Sequence, residues 1–218
     1  MARVAITASP WPSAEASTGA GTLTRGTLGF MARRIFAFDL PDRFATGTIG
    51  EPGNRAFFLQ AREGARVISV GLEKAQVAVL AERLGLLLTE LGKRGVGDAA
   101  SEAIEPDVKP LDEPLNEAFR ATTLTLGWDV DNERILIEAR SQSDADDEAE
   151  ADEVADIDDE DDDGPDLLRV RLSAGAARTF VERAFRVIRA GRPPCPLCGA
   201  PLDATGHICP RKNGHYLN

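Results

Sequence analysis

The chain has 218 residues, 25 of them basic and 36 acidic, for a formal charge of −11 at pH 7. Fourteen of the acids and no basic residue fall between Asp144 and Asp163, so the remainder carries 25 basic against 22 acidic groups, a net of +3. A uniformly acidic protein and a strongly basic nucleic-acid binder are both excluded, and no run approaches the ~18 apolar residues of a membrane-spanning helix.

Residues 1–30 are rich in Ser, Thr, Gly and Ala and nearly uncharged, and Met31-Ala32-Arg33 repeats Met1-Ala2-Arg3. They read as a disordered extension ahead of the fold. From 34 the pattern is β: Arg34–Asp39, Phe44–Ile49, Arg55–Ala61 and Arg66–Val70 are short runs separated by Gly, Pro and Asn. The period then changes. Val77, Leu80, Leu84, Leu87 and Leu91 form one apolar stripe of a helix over about 73–93, ended by Gly92 and Gly95.

Residues 94–114 read as a linker. Strands resume at Thr122–Trp128 and Arg134–Ala139, flanking a turn at Asp131-Asn132. The acidic run 143–164 reads as a disordered insertion in a strand connection, because it cannot bury enough apolar area to offset the entropy of ordering. Asp166–Leu172 is a last strand, and Ser173 caps a helix reaching about Arg189.

At an offset of 100, Ile68/Leu168, Val70/Val170, Leu72/Leu172, Leu80/Phe180 and Arg83/Arg183 correspond. These matches suggest a β-β-β-α unit occurring twice. The fold class is α+β, a mostly antiparallel sheet with two helices packed on it, because a helix with one apolar stripe needs a sheet to bury it. The α+β domain spans 31–190, and 191–218 forms a separate tail.

That tail holds every cysteine and both histidines of the chain. Cys195-Pro-Leu-Cys198-Gly199 places two thiols on one side of a tight turn, with Gly199 able to take positive φ. Cys209 supplies a third ligand. His207, two residues before Cys209, or His215 supplies the fourth, His207 being favoured because an extended segment points both side chains the same way. Such a Cys3His set is a closed tetrahedral site for a structural Zn2+ in a zinc knuckle. An odd cysteine count confined to one tail argues against a disulfide framework and for a reducing, cytoplasmic setting.

At this point the sequence resembles the actinobacterial domain of unknown function 3090 family. The matching stretches are Phe38-Asp39-Leu40-Pro41-Asp42-Arg43-Phe44, Gly47-Thr48, Pro52-Gly53-Asn54-Arg55, Phe57–Ala61, Gly127-Trp128, Gly191–Gly199 and Gly206–Gly214. In that pattern the tail histidine is His207. The resemblance implies no established activity.

No catalytic constellation stands out. Outside the tail there is no histidine, and each cysteine is assigned to metal, so no residue is named as catalytic. The loop from Gly47 and Thr48 through Gly50 and Gly53, with Arg43 and Arg55, is a candidate anion site. The leading expectation is therefore a binding or adaptor protein whose partner is a protein or a small anion. An enzyme acting on a phosphorylated or anionic metabolite is the alternative, and it requires Asp39, Asp42, Arg43 and Arg55 to converge. Nucleic-acid binding, through Arg178, Arg183, Arg186, Arg189 and Arg192 beside the knuckle, is a less favoured third.

Overall fold

Short apolar runs bounded by turn residues set the strands, four of which are buried on both faces, and the steps of three and four set the helices. The computed structural model describes residues 33–95, 105–142, 164–191 and 195–199, Cys209, Arg211 and the backbone of 2–7. In chain order the elements are β1 (Ala2–Thr7), β2 (Ile35–Asp39), β3 (Arg43–Ile49), β4 (Ala56–Glu63), β5 (Arg66–Leu72), α1 (Lys74–Arg94), β6 (Glu117–Arg120), β7 (Thr123–Asp129), β8 (Arg134–Arg140), β9 (Leu167–Leu172) and α2 (Ala174–Arg189). The class is α+β. The acidic run 143–163 lies outside the described residues.

The strands divide between two sheets instead of the one expected: β1-β7-β8-β9-β2 and β3-β4-β5-β6. Each sheet contains an antiparallel meander, β3-β4-β5 in one and β7-β8-β9 in the other. Each is then extended by a strand from the other half of the chain. β2 pairs parallel with β9, and β6 pairs parallel with β5. The exchange is reciprocal down to single bonds, since Leu40 N–H donates to Arg171 O at 3.0 Å and Ala121 N–H donates to Gly71 O at 2.9 Å.

The repeat is therefore real in topology, and its unit is longer than β-β-β-α. It is an exchanged strand, a three-stranded meander and a helix. β6 escapes the sequence pattern because it has four residues and only Phe119 fully buried among them.

Strand register shows which positions correspond. Phe57 pairs with Leu72 as Ile135 pairs with Leu172, so Gln60 in β4 stands where Glu138 stands in β8. By the same counting Gly47 matches Gly127 and Arg62 matches Arg140. The inner faces hold Leu59, Val70, Leu126, Ile137 and Val170, and these share one core with Leu80, Leu84 and Phe180 of the helices. Full burial of each such side chain contributes about 1.5–3 kcal/mol. The rings of Phe44 and Phe180 meet at 4.9 Å, which locks α2 onto β3.

Two polar contacts fix the helix starts. Glu73 N–H donates to Gln76 Oε1 at 2.7 Å, and the buried Gln76 Nε2 donates onward to Ala121 O and Thr122 O. Ser173 Oγ accepts from Ala176 N–H at 3.2 Å, as the cap reading expects. Gly92 lies inside α1, and Gly95, at φ +66°, closes it.

Residues 105–113 are no free linker; they form a strap across the outer face of the four-stranded sheet. Asp112 N–H donates to Gln60 Oε1 at 2.8 Å, and Gln60 Nε2 returns a bond to Asp112 O at 3.0 Å. Leu111 sits where a Cβ on Gly47 would be, 2.7 Å from its Cγ. Arg43 grips Asp107 through Nε (2.8 Å) and Asp112 through Nη1 (2.9 Å). From α2, the buried Arg183 donates Nε to Thr46 O at 2.6 Å and Nη1 to Asp107 O and Lys109 O.

The corresponding Arg83 of α1 is exposed. The edge of β7 that it would cap is already paired with β1, Val4 opposite Leu126. Part of the 1–30 segment thus enters the fold as an edge strand. Its alternation of Ala2, Val4 and Ile6 was the available signal; residues 8–32 lie outside the described residues.

Burial alone would raise the Asp107 pKa, but hydrogen bonds from Arg43 and the charges of Arg183 and Arg43 outweigh it and hold the carboxyl below its ordinary value. A depressed carboxylate stabilises the fold above its unfolded pKa of about 3.9 and loses that contribution as pH falls through the lower folded value. Asp107→Asn is expected to cost about 2 kcal/mol in urea unfolding at neutral pH. The gap from wild type should close as the pH drops below about 4. A gap that stays constant into acid would show that the carboxylate charge does not hold the strap.

Candidate metal centre

The strongest chemical cluster among the described residues is the cysteine turn after α2. Pro196 fixes the start of a turn over 196–198, and Gly199 closes it at φ +76°, its N–H donating to Cys195 O at 2.8 Å. Only glycine takes that backbone conformation without strain. The turn aims backbone donors at sulfur, and Leu197 N–H lies 3.4 Å from Cys195 Sγ.

Cys209 is brought to the same point from further along the chain. Its sulfur is 3.9 Å from that of Cys195, and the sulfurs of Cys195, Cys198 and Cys209 all lie within 4.8 Å of one another. Cys195 and Cys209 are each 6% exposed. Backbone N–H groups of Cys198 and Leu197 lower the Cys195 pKa below that of an ordinary thiol. A favoured thiolate is what a metal ligand needs.

The donor set therefore fits a metal ion: three converging sulfurs, one stabilised as thiolate, with spacing suited to tetrahedral coordination. All three predicted cysteines come together. His207 and His215 lie outside the described residues.

The candidate anion loop is built differently. Gly50 and Gly53, at φ +99° and +106°, make the β3–β4 hairpin turn, where Asn54 N–H donates to Glu51 O at 2.9 Å. Arg43 begins β3 and Arg55 stands beyond its other end, so the two are separated by the strand's length, about 20 Å at ~3.4 Å per residue. Gly47 carries Leu111 on its face, and Thr48 lies opposite Phe57 in the ladder. The loop and its two arginines do not converge.

The constellation required by an enzyme does not assemble either. Asp42 accepts from Gly64 N–H at 2.7 Å, Arg43 is engaged by the strap, and Asp39 is exposed at the end of β2. The basic helix is partly spent too. Arg183 and Arg186 both donate to Asp107 O, and Arg189 lies over the Phe185 ring at 5.7 Å.

What the sequence missed is a depression of about 410 Å³ beside the strap, where Arg62, Lys109, Leu111, Asp112 and Glu113 gather around Arg43. Arg62 Nε is buried with no hydrogen-bond partner among the described residues. The sequence holds no signal for it, because the Gln60/Glu138 correspondence, which gives Arg140 a carboxylate two residues away and Arg62 an amide, emerges only from the strand register.

A family described as "Protein of unknown function (DUF3090)" matches residues 36–209. None of the curated proteins matches the chain, and none of the solved structures does. No helix among the described residues is long and apolar enough to cross a membrane.

Titration of the reduced protein with Co2+ is expected to saturate near about one equivalent per chain, with a sulfur-to-metal charge-transfer band. Cys198→Ser should abolish that band. An undiminished band in this variant would remove Cys198 from the site.

Proposed function

The chain belongs to the DUF3090 family, and on that premise we propose that it is a cytoplasmic binding or adaptor protein carrying one structural zinc ion, with a protein or a small anion as its partner. The observation that carries this reading is the convergence of Cys195, Cys198 and Cys209 on a turn whose backbone donors favour thiolate. Cys195, Cys198 and Cys209 with His207 make a Cys3His set, which leaves no open coordination position for a substrate. A tail this polar has little apolar area of its own, so metal binding supplies most of its folding free energy.

For the small anion, the support moves from the 47–55 loop to the depression beside the strap. There Lys109 lies beside Arg62, whose guanidinium stands 3.7 Å from Asp112 through Nη1 and keeps a buried Nε without a hydrogen-bond partner among the described residues. A carboxylate or phosphate group is the matching chemistry.

Metal analysis of the purified full chain should find about one zinc per chain. His207→Ala should lose it and His215→Ala keep it, and the reverse result would make His215 the ligand. Less than about half an equivalent in wild type, unchanged in Cys195→Ser, would end the zinc reading. Binding of inorganic phosphate, followed by calorimetry, should weaken at least about tenfold in Arg62→Ala. Equal affinity in both proteins would leave a protein as the partner.

A further inference from the structure

The outer face of the five-stranded sheet is buried without a described element over it. Cross-strand partners place Thr125, Glu138 and Arg169 in one row of that face, and Gly127, Leu136 and Arg171 in the next. Glu138 is 0% exposed, Thr125 2% and Leu136 7%. The helices reach only the inner face, which holds Leu124, Leu126, Ile135 and Ile137 in the shared core.

The polar groups of this face are tied to one another. Glu138 accepts from Arg169 Nε at 2.7 Å and from Arg140 Nη2 at 3.2 Å. Burial would raise the Glu138 pKa, but these two arginines outweigh it and lower it. Thr125 Oγ1 and Arg140 Nε are buried with no hydrogen-bond partner among the described residues. Sheet faces open to water do not carry polar atoms in that state, because solvent satisfies them.

The other sheet shows what such a face looks like when covered. Its rows are Ala45, Gln60 and Ser69, then Gly47, Phe58 and Gly71. There the segment that follows α1 is the cover, with Leu111 over Gly47 and Asp112 paired to Gln60. In the second half the segment in the same position, directly after α2, carries the cysteines. Cys195 and Cys209 are themselves nearly fully buried, in a stretch where Pro196, Leu197 and Arg211 are exposed. The outer face of the five-stranded sheet thus lacks a described cover, and the segment after α2 holds the place in its half that the strap after α1 holds in the other.

We infer that the cysteine-bearing segment 195–211 seats on the outer face of the five-stranded sheet, over Gly127, Leu136 and Glu138, as the counterpart of the strap on the other sheet. The occupant is this chain's own segment, not a second copy or a foreign partner. Gly127 stands in the register position that Gly47 holds under Leu111 in the other sheet. The inference deepens the metal reading by giving the zinc a purpose: it shapes the segment that closes the sheet.

The test uses the full chain with a photo-crosslinking benzoylphenylalanine in place of Arg134, at the rim of this face, and in a second protein in place of Leu136. Irradiation should give a monomeric product whose cross-linked peptide falls within 195–211. A cross-link to 8–32 or 143–163, a covalent dimer, or no cross-link in either protein would overturn the inference. Hydroxyl-radical footprinting of the unmodified full chain provides a check that does not depend on the probe. Leu136 should be protected, and its labelling should rise several-fold in the full-length Cys195→Ser/Cys209→Ser variant; unchanged labelling counts against docking. Zinc content is measured on the same samples. A cross-link to 195–211 in zinc-free wild type would keep the docking and end the metal reading, and bound zinc without the cross-link would do the opposite.

Discussion

Each half of this chain builds a three-stranded meander whose last strand presents an open edge, and each closes the other's edge with its own first strand. β2 runs beside β9 and β6 beside β5, both parallel. An unpaired edge leaves a row of backbone donors and acceptors facing solvent or another chain. Closing both edges reciprocally means that neither half is complete alone. The stacked rings of Phe36 in β2 and Phe119 in β6, 6.3 Å apart, join the two exchanged strands to each other. One core therefore serves both sheets and both helices.

Once the sheets are fixed, the outer faces become the places where the two halves differ. Equivalent positions carry Gln60 with Ser69 in one sheet and Glu138 with Arg169 in the other. The neutral amide bonds to the strap's backbone, while the carboxylate is consumed by two arginines. The difference follows from the partners each face gives this position. A backbone strap offers one N–H and one C=O, which a glutamine matches with one acceptor and one donor. A glutamate has no donor to return and must find cations, since a buried charge without a partner is costly.

The same economy governs the arginines. Arg43 and Arg183 are conspicuous as cations in sequence, yet both are structural clamps whose donors end on Asp107, Asp112, strap carbonyls and Thr46 O. Arg183 is buried at the cost of its hydration, offset by three hydrogen bonds and the Asp107 carboxylate. Cation-rich sequence thus did not translate into an anion site where the motif pointed. At the strap's edge Arg62 shares Asp112 with Arg43, and Lys109 lies beside it. Charge in this protein is legible as partnership only after the partners are placed.

The sequence by itself determined the positions of nearly all the long elements, the Ser173 cap, the α+β class and the cysteine turn with its glycine. Each of these rests on contacts within a few residues, through periodicity of burial or local backbone geometry. It did not determine the number of sheets, the exchange of β2 and β6, the role of 105–113 as a strap, or the edge strand β1. These depend on pairings such as Arg34 with Asp166, 132 residues apart in the chain, and Arg183 with Thr46, 137 apart. Hydrophobic pattern says that a strand has a buried face, but it carries no information on which edge will be its neighbour. That choice is made by whole-chain packing, because only there do the two open edges meet the two strands able to close them.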